Sequence, residues 1–260
     1  MTEKSIVFFD IDGTLLDHQK NLPATTKEAI FTLKDEGHEV AIATGRAPFM
    51  FADLRKELGI DTFVSYNGQY VVFRGEVLFE NPLNNAALQS ITDMSVANNH
   101  PIVYMDHEDM KANVPHHDFI VESIGTLKVE HFPTHDPDYF KGRNIYQSLL
   151  FCEENEETSY EKEYSEFDFV RWHPLSVDVI PAGGSKAIGI GKITKKLGLA
   201  KENQYAFGDG LNDIEMLREI TNSVAMGNAH PLAKEAAKHV TTDVDKDGIL
   251  QGLQMVGLLK

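Results

Sequence analysis

The stretch Ser5 to Asp17, SIVFFDIDGTLLD, runs four apolar residues into two aspartates placed two apart, followed by a Gly-Thr turn. Ile6, Val7, Phe8 and Phe9 form a short run rich in β-branched and aromatic residues. Such a run reads as a strand covered on both faces, as in a parallel sheet. Asp10 and Asp12 then emerge at the carboxyl end of that strand, the edge where open α/β sheets bind their ligands. Residues i and i+2 of an extended chain point to the same side, so both aspartates face one ligand. Two like charges this close repel, and the arrangement is tolerable only beside a cation or with a shared proton. The pair therefore points to a metal site or an acid/base pair. The alternative is a DxDG turn that merely ends a strand.

Composition narrows the class. A chain of 260 residues is too long for one small domain and suits a core with an accessory unit. Charged residues make up 25% and hydrophobic residues 42%, the balance of a soluble globular protein. The formal net charge of −16 argues against nonspecific binding to nucleic acid or to an anionic membrane surface. An anionic substrate then needs locally placed cations. Cys152 is the single cysteine, which excludes an internal disulfide and fits a reducing compartment. The opening MTEKSIVFF lacks a signal-type apolar stretch, and no apolar run is long enough to span a bilayer, so the expected location is cytoplasmic.

Strand and helix patterns alternate along the first third. TTKEAIFTLKDEG places Ala29, Ile30 and Leu33 on one face and stops at Gly37, a helix with a C-terminal glycine. EVAIATGR reads as a second buried strand, APFMFADLRKELG as a helix ended by Gly59, and DTFVSYNG as a third strand with a turn. YVVFRGEVLF reads as a hairpin turning at Arg74 and Gly75. This order calls for a parallel sheet with right-handed crossovers. From about Leu83 to Pro181 glycines are sparse, and NIYQSLLFC, FDFVRW and LSVDVI suggest an α+β insert with an antiparallel sheet, long enough for its own core. SKAIGIGKITKKLG, QYAFGDG, NDIEMLREI, NSVAMGN and PLAKEAAKHV then restore the alternation. The expected architecture is an α/β, Rossmann-like parallel-sheet core, 1–82 and 182–260, interrupted by an α+β domain, 83–181.

Three further stretches fall at strand ends or helix starts of the interrupted domain. In AIATGR, the Thr44 hydroxyl and the backbone N–H groups around Gly45 and Arg46 form an anion cradle, or else Thr44 is simply an N-cap. In PAGGSK, Lys186 stands in the first turn of a helix, where a cation is electrostatically misplaced unless an anion faces it. In YAFGDGLND, Asp209 and Asp213 flank Asn212 on a glycine-rich loop, supplying the hard oxygen ligands that Mg²⁺ requires, or else a plain acidic turn.

The set DIDGT, ATGR, GGSK and GDGLND, in this order, resembles the four motifs of the haloacid dehalogenase superfamily of phosphatases. The interval from Thr14 to Thr44 has room for one helix and one strand, whereas that from Thr44 to Lys186 is far longer. This placement of the insert is similar to the Cof-type subgroup, whose α/β cap lies between the second and third motifs. The resemblance implies that Asp10 is a nucleophile forming an aspartyl-phosphate and that Asp12 is the acid and then the base. It also implies Mg²⁺ held by the Asp10 carboxylate, the Asp12 carbonyl and Asp209, with Asp213 acting through water or from behind. Lys186, Thr44, Gly45, Asn212 and the amide of Ile11 complete the implied phosphate cradle.

The expected substrate is a small phosphorylated metabolite, such as a sugar phosphate or a phosphorylated cofactor. A noncatalytic phosphate-binding or phosphoacceptor module and a phosphomutase are the alternatives; Asp12 and the long insert favour the hydrolase. Candidate substrate contacts are Arg46 and Asn67 from the core and Trp172 and His173 from the cap, the last two equally readable as packing. His116 and His117 diverge by roughly 100° on a helix and are poor partners for one ion. The acidic run EENEETSYEKEYSEFD reads as the solvated face of a cap helix.

Overall fold

The apolar run Ile6–Phe9 forms strand β1, with all four side chains buried. In the computed structural model, which describes residues 4–127 and 131–260, β1 is a central strand of an eight-stranded sheet. Helix α1 (Ala24–Asp35) buries Thr26, Ala29, Ile30 and Leu33, and the chain leaves it through Gly37 with φ of 88°. Strand β2 (Glu39–Ala43), helix α2 (Ala52–Leu58) and strand β3 (Phe63–Ser65) follow. Strands β4 (Tyr70–Phe73) and β5 (Glu76–Glu80) form a hairpin. Its turn residues Arg74 and Gly75 both have positive φ, as a two-residue type I′ turn requires.

One helix begins differently from its sequence reading. APFMFADLRKELG opens with a 3₁₀ turn, Pro48–Phe51, and becomes regular only at Ala52. Pro48 brings no N–H to a helical ladder, and the Met50 N–H closes the tighter turn onto the Ala47 carbonyl at 3.0 Å.

An inserted segment follows β5, comprising helix α3 (Asn85–Ala97), β6 (Ile102–Met105), β7 (Met110–Ala112), α4 (Asp118–Thr126) and β8 (Thr134–His135). It continues through β9 (Gln147–Leu150), α5 (Thr158–Glu163), β10 (Phe167–His173) and β11 (Ser176–Pro181). These strands make a separate sheet in the order β10-β11-β9-β6-β7-β8, antiparallel except for the β7–β8 pair. Leu88, Ile91, Tyr104, Ile145, Tyr160, Val177 and Val179 belong to its own hydrophobic cluster. The acidic run yields only the short α5, pinned by buried Tyr160; the rest of the run is turn, strand and loop.

The return to the first sheet passes through α6 (Lys186–Leu197), β12 (Gln204–Gly208), α7 (Ile214–Glu219), β13 (Asn222–Ala225), α8 (Pro231–Ala236) and β14 (His239–Val240). It ends with α9 (Gly248–Met255). The sheet order is β14-β13-β12-β1-β2-β3-β4-β5, parallel from β14 to β3 and closed at one edge by the antiparallel β4 and β5. Ile6, Phe8, Ala41, Val64, Ala206, Ile190 and Ile193 pack as one cluster, while the Phe9 and Phe207 rings stack at 5.0 Å.

The chain separates into two units: the described part of Met1–Arg46 with Ala52–Glu80 and Ser185–Lys260, and Ala47–Phe51 with the described part of Asn81–Gly184. No helix among the described residues is long and apolar enough to cross a membrane.

Candidate active site

Strand β1 ends at Asp10, whose amide donates to the Phe207 carbonyl at 3.0 Å, so the turn carrying the aspartates is tied to β12. Because β1 and β12 are parallel neighbours, their carboxyl ends lie side by side and bring Asp10 next to the loop of Asp209 and Asp213. Lys186 enters from the start of α6, where the Ser185 hydroxyl caps the helix by accepting from the Ile188 amide. Fully buried, Lys186 Nζ donates to Asp10 Oδ1 and to Asp213 Oδ1, each at 2.6 Å. The anions that its helix position called for are therefore these two carboxylates.

The second oxygen of Asp213 accepts from the amides of Asp209 and Gly210, both at 2.9 Å. Both of its oxygens are thus occupied, and its carboxylate shapes the loop and holds the lysine. Asp209 stays half-buried and accepts from the Thr14 hydroxyl at 3.0 Å. Gly13 is required beside it for two reasons. Its φ is 75°, and an added Cβ would sit 2.2 Å from Asp209 Oδ2. Asn228 donates to the Gly13 carbonyl at 2.8 Å and accepts from the Val244 amide at 2.8 Å, joining the first turn to the last stretch of the unit.

Electrostatically the cluster is over-supplied with negative charge. Oxygens of Asp10, Asp209 and Asp213 all lie within 4.8 Å of one another. Burial, then the neighbouring Asp213 and Asp209, push the Asp10 carboxyl up to about 8 despite the Lys186 ammonium. Burial and then Asp213 push Asp209 up to about 6. Lys186 is raised as well, because its two carboxylate partners outweigh its burial. A divalent cation fits this set: the donors are hard oxygens, and the crowding that makes them expensive to ionise is what such a cation would relieve.

Asp12 has different surroundings. Arg46 Nε donates to its Oδ2 at 2.7 Å and the Arg46 Nη2 to its Oδ1 at 2.6 Å, a two-pronged fork. Lys20 adds a third donor on Oδ1. Burial works against ionisation here, but the Arg46 and Lys20 cations hold the carboxyl below the usual carboxylate range.

The remaining predicted residues divide by unit. The buried Thr44 hydroxyl accepts from the Arg46 amide at 3.1 Å, a local turn bond ahead of the 3₁₀ turn at Pro48 and not a helix N-cap, so that amide is engaged while the hydroxyl keeps its own proton to donate. Gly45 admits the Asn67 side chain, whose Nδ2 would lie 3.0 Å from an added Cβ. Asn67 and Tyr66 have φ of 50° and 51°, and the Asn67 side-chain Oδ1 accepts from Nδ2 of exposed Asn212 at 3.2 Å. The Ile11 carbonyl accepts from the amides of Thr14, Leu15 and Leu16, which folds the chain after Asp10 into a tight turn. Trp172 and His173 lie on β10 in the inserted unit, their rings 5.7 Å apart. There His173 Nδ1 accepts from the Leu175 amide and lies 3.0 Å from the Ser123 hydroxyl. His117 caps α4 by accepting from the Phe119 amide. Thr14, Lys20 and Asn228 are the contacts to this cluster that motif reading passed over.

A parallel sheet whose strand ends present clustered carboxylates around one buried lysine is suited to phosphoryl chemistry beside a divalent cation. The chain belongs to the haloacid dehalogenase-like hydrolase family, whose sequence pattern matches residues 7–253. The protein named "Putative phosphatase YkrA" of Bacillus subtilis (strain 168) is 46% identical over 258 residues, covering 99% of this chain and all of that one. The 5-amino-6-(5-phospho-D-ribitylamino)uracil phosphatase YcsE of the same organism is 27% identical over 96% of this chain and 94% of its own. A crystal structure of a hypothetical protein from Geobacillus kaustophilus HTA426 superposes with a TM-score of 0.96 at 54% identity, covering 99% of this chain and all of that one.

Proposed function

We propose that this chain is a Mg²⁺-dependent phosphatase of small phosphorylated metabolites, sugar phosphates or phosphorylated cofactors, acting through an aspartyl-phosphate on Asp10. The observation that carries the reading is the buried Lys186 bridging Asp10 and Asp213 at 2.6 Å on each side, with Asp209 alongside. YcsE, by name a phosphatase of a phosphoribityl metabolite, supports the substrate class.

In the first step Asp10 attacks phosphorus through a carboxylate oxygen. The ester P–O bond breaks as Asp12, which must first take up a proton against the pull of Arg46 and Lys20, gives that proton to the leaving oxygen. In the second, a water molecule passes a proton to the Asp12 carboxylate and attacks phosphorus; the bond to Asp10 breaks, releasing inorganic phosphate and restoring both aspartates. The transition states carry charge on the equatorial oxygens, so positioning and neutralisation do most of the work. Thr44, Gly45, Asn212 and the Ile11 amide would cradle the phosphoryl group, and Lys186 would face it from α6. Mg²⁺, held by Asp10, Asp209 and the Asp12 carbonyl with Asp213 behind them, would supply charge neutralisation.

The reading keeps 1–82 and 182–260 as the catalytic core and 83–181 as the cap that selects leaving groups. Arg46, Asn67, Trp172 and His173 are its candidate substrate contacts. A cytoplasmic location rests on the lone cysteine of the sequence.

The test is hydrolysis of p-nitrophenyl phosphate with Mg²⁺, followed by phosphate release from a panel of metabolite monophosphates. Wild type is expected to turn over and Asp10→Asn to lose activity. Equal activity of the two would remove Asp10 from its role.

A further inference from the structure

The loop that leaves β13, Met226 to His230, holds the acidic cluster by its backbone. The Met226 amide donates to the Gly208 carbonyl at 3.0 Å and the His230 amide to the Asp209 carbonyl at 2.8 Å. The Gly227 amide donates to the Thr242 carbonyl at 2.8 Å. These two segments run so close that a Cβ on Gly227 would sit 2.5 Å from the Asp243 amide nitrogen. Asn228 is thereby carried to the meeting point of three segments, those of Gly13, Asp209 and Val244.

Its side-chain amide stands only one way round. The Val244 amide is a donor, so the atom facing it at 2.8 Å is the oxygen Oδ1. The Gly13 carbonyl is an acceptor, so the atom facing it at 2.8 Å is Nδ2. Nδ2 carries a second hydrogen, and Asp209 Oδ2 lies 3.5 Å from it, at the outer limit of a hydrogen bond.

Asp209 is thus confined at both of its oxygens. Thr14 donates to Oδ1 at 3.0 Å, and Oδ2 rests against Gly13, where an added Cβ would approach to 2.2 Å. Asn228 holds the carbonyl of that same glycine from a position 215 residues along the chain. The turn that limits Asp209 is therefore itself fixed. Such confinement matters most to a small, hard cation. Mg²⁺ demands near-ideal octahedral geometry, whereas Ca²⁺ is larger and accepts irregular arrangements of oxygens.

We propose that Asn228 is a positioning residue for Asp209, locking its carboxylate through the Gly13 turn so that the cluster prefers Mg²⁺ to larger divalent cations. The inference rests on the reading of Asp209 as a ligand of Mg²⁺ in a phosphatase.

Calorimetric titration of the full chain with MgCl₂ and with CaCl₂ tests it independently of turnover. Asn228→Ala is expected to weaken Mg²⁺ binding by about tenfold or more and Ca²⁺ binding by about threefold at most. The Mg²⁺ concentration for half-maximal hydrolysis of p-nitrophenyl phosphate should rise by the same factor as the Mg²⁺ dissociation constant. Asn228→Ser, too short to keep both bonds, is the second variant should the alanine variant not fold, and the same split between the cations is expected of it. Equal weakening for the two cations, or failure of both variants to fold, would make the residue a structural tie, and unchanged Mg²⁺ binding would separate it from Asp209. Each of these results overturns the inference and leaves the phosphatase reading standing. Wild-type protein that binds neither cation would remove the reading of the cluster as a Mg²⁺ site, and this inference with it.

Discussion

Lys186 and Asp213 form an ion pair with both side chains fully out of solvent, Nζ standing 2.6 Å from Oδ1. Removing either member of such a pair costs about 3–5 kcal/mol, because the charge left behind is buried and uncompensated. The two removals differ here. After Lys186→Met, Asp10, already pushed up to about 8, can take a proton and limit the damage. After Asp213→Ala, the amides of Asp209 and Gly210 lose their acceptor as well. Both variants are expected to fold, with melting temperatures lowered by roughly 6–12 °C for a loss of about 3 kcal/mol and the larger fall in Asp213→Ala. Lys186→Met should also lose at least about a hundredfold in turnover. A calorimetric scan near wild type combined with full activity in Lys186→Met would contradict this.

The space beside Gly13 gives a second prediction. An alanine there would place its Cβ 2.2 Å from Asp209 Oδ2 at a φ of 75°. Asp209 must move, and a shift of about 1 Å at a reacting centre can cost on the order of a hundredfold. Gly13→Ala is expected to lose that much in kcat/KM and to need more Mg²⁺ for half-maximal rate. An unchanged Mg²⁺ titration would show that Asp209 is not a ligand.

The raised carboxyls make stability depend on pH in a definite sense. Asp10 and Asp209 titrate in the folded chain near 8 and 6, above their ordinary 3.8. The folded state therefore holds more protons than the unfolded state across that interval. Without Mg²⁺ their contribution is most favourable near the ordinary value and declines as pH rises through about 6 and then about 8. Asp178, pushed up to about 7 by burial, acts in the same direction from the inserted unit. Asp12 is lowered instead, and its contribution is lost only as pH falls below the ordinary value. Bound Mg²⁺ favours the ionised carboxylates, so the rise in melting temperature on adding it should be larger at about pH 8 than at about pH 5. An increment equal at both would mean that the cation does not sit on Asp10 and Asp209.

The sequence made the site legible where chemistry and chain geometry coincide. Ile6–Phe9 reads as a covered strand because it lies in the middle of the sheet, and the aspartates that follow must then stand at its end. Lys186 declared itself by being a cation at a helix start. Contacts set by tertiary placement left no such trace. Asn228 meets Gly13 across most of the chain's length, and Lys20 looks like an ordinary turn residue until its φ and its partner are seen. The α9 helix went unread because Gly248 and Gly252 weaken its pattern. Gly252 is needed there, since a Cβ would lie 2.5 Å from the Phe207 ring. The hydroxyl of Thr44 could be read as cradle or as cap of a turn, and the bond it accepts from the Arg46 amide leaves both roles open because the hydroxyl still has its own proton to donate.

The account depends on one oxygen of Asp10 carrying the phosphoryl group between two displacements. Hydrolysis of an ester made chiral at phosphorus with oxygen isotopes, in isotopically labelled water, measures this directly. Two in-line displacements predict net retention of configuration, whereas net inversion would show that water attacks the substrate in a single step and that Asp10 is never phosphorylated.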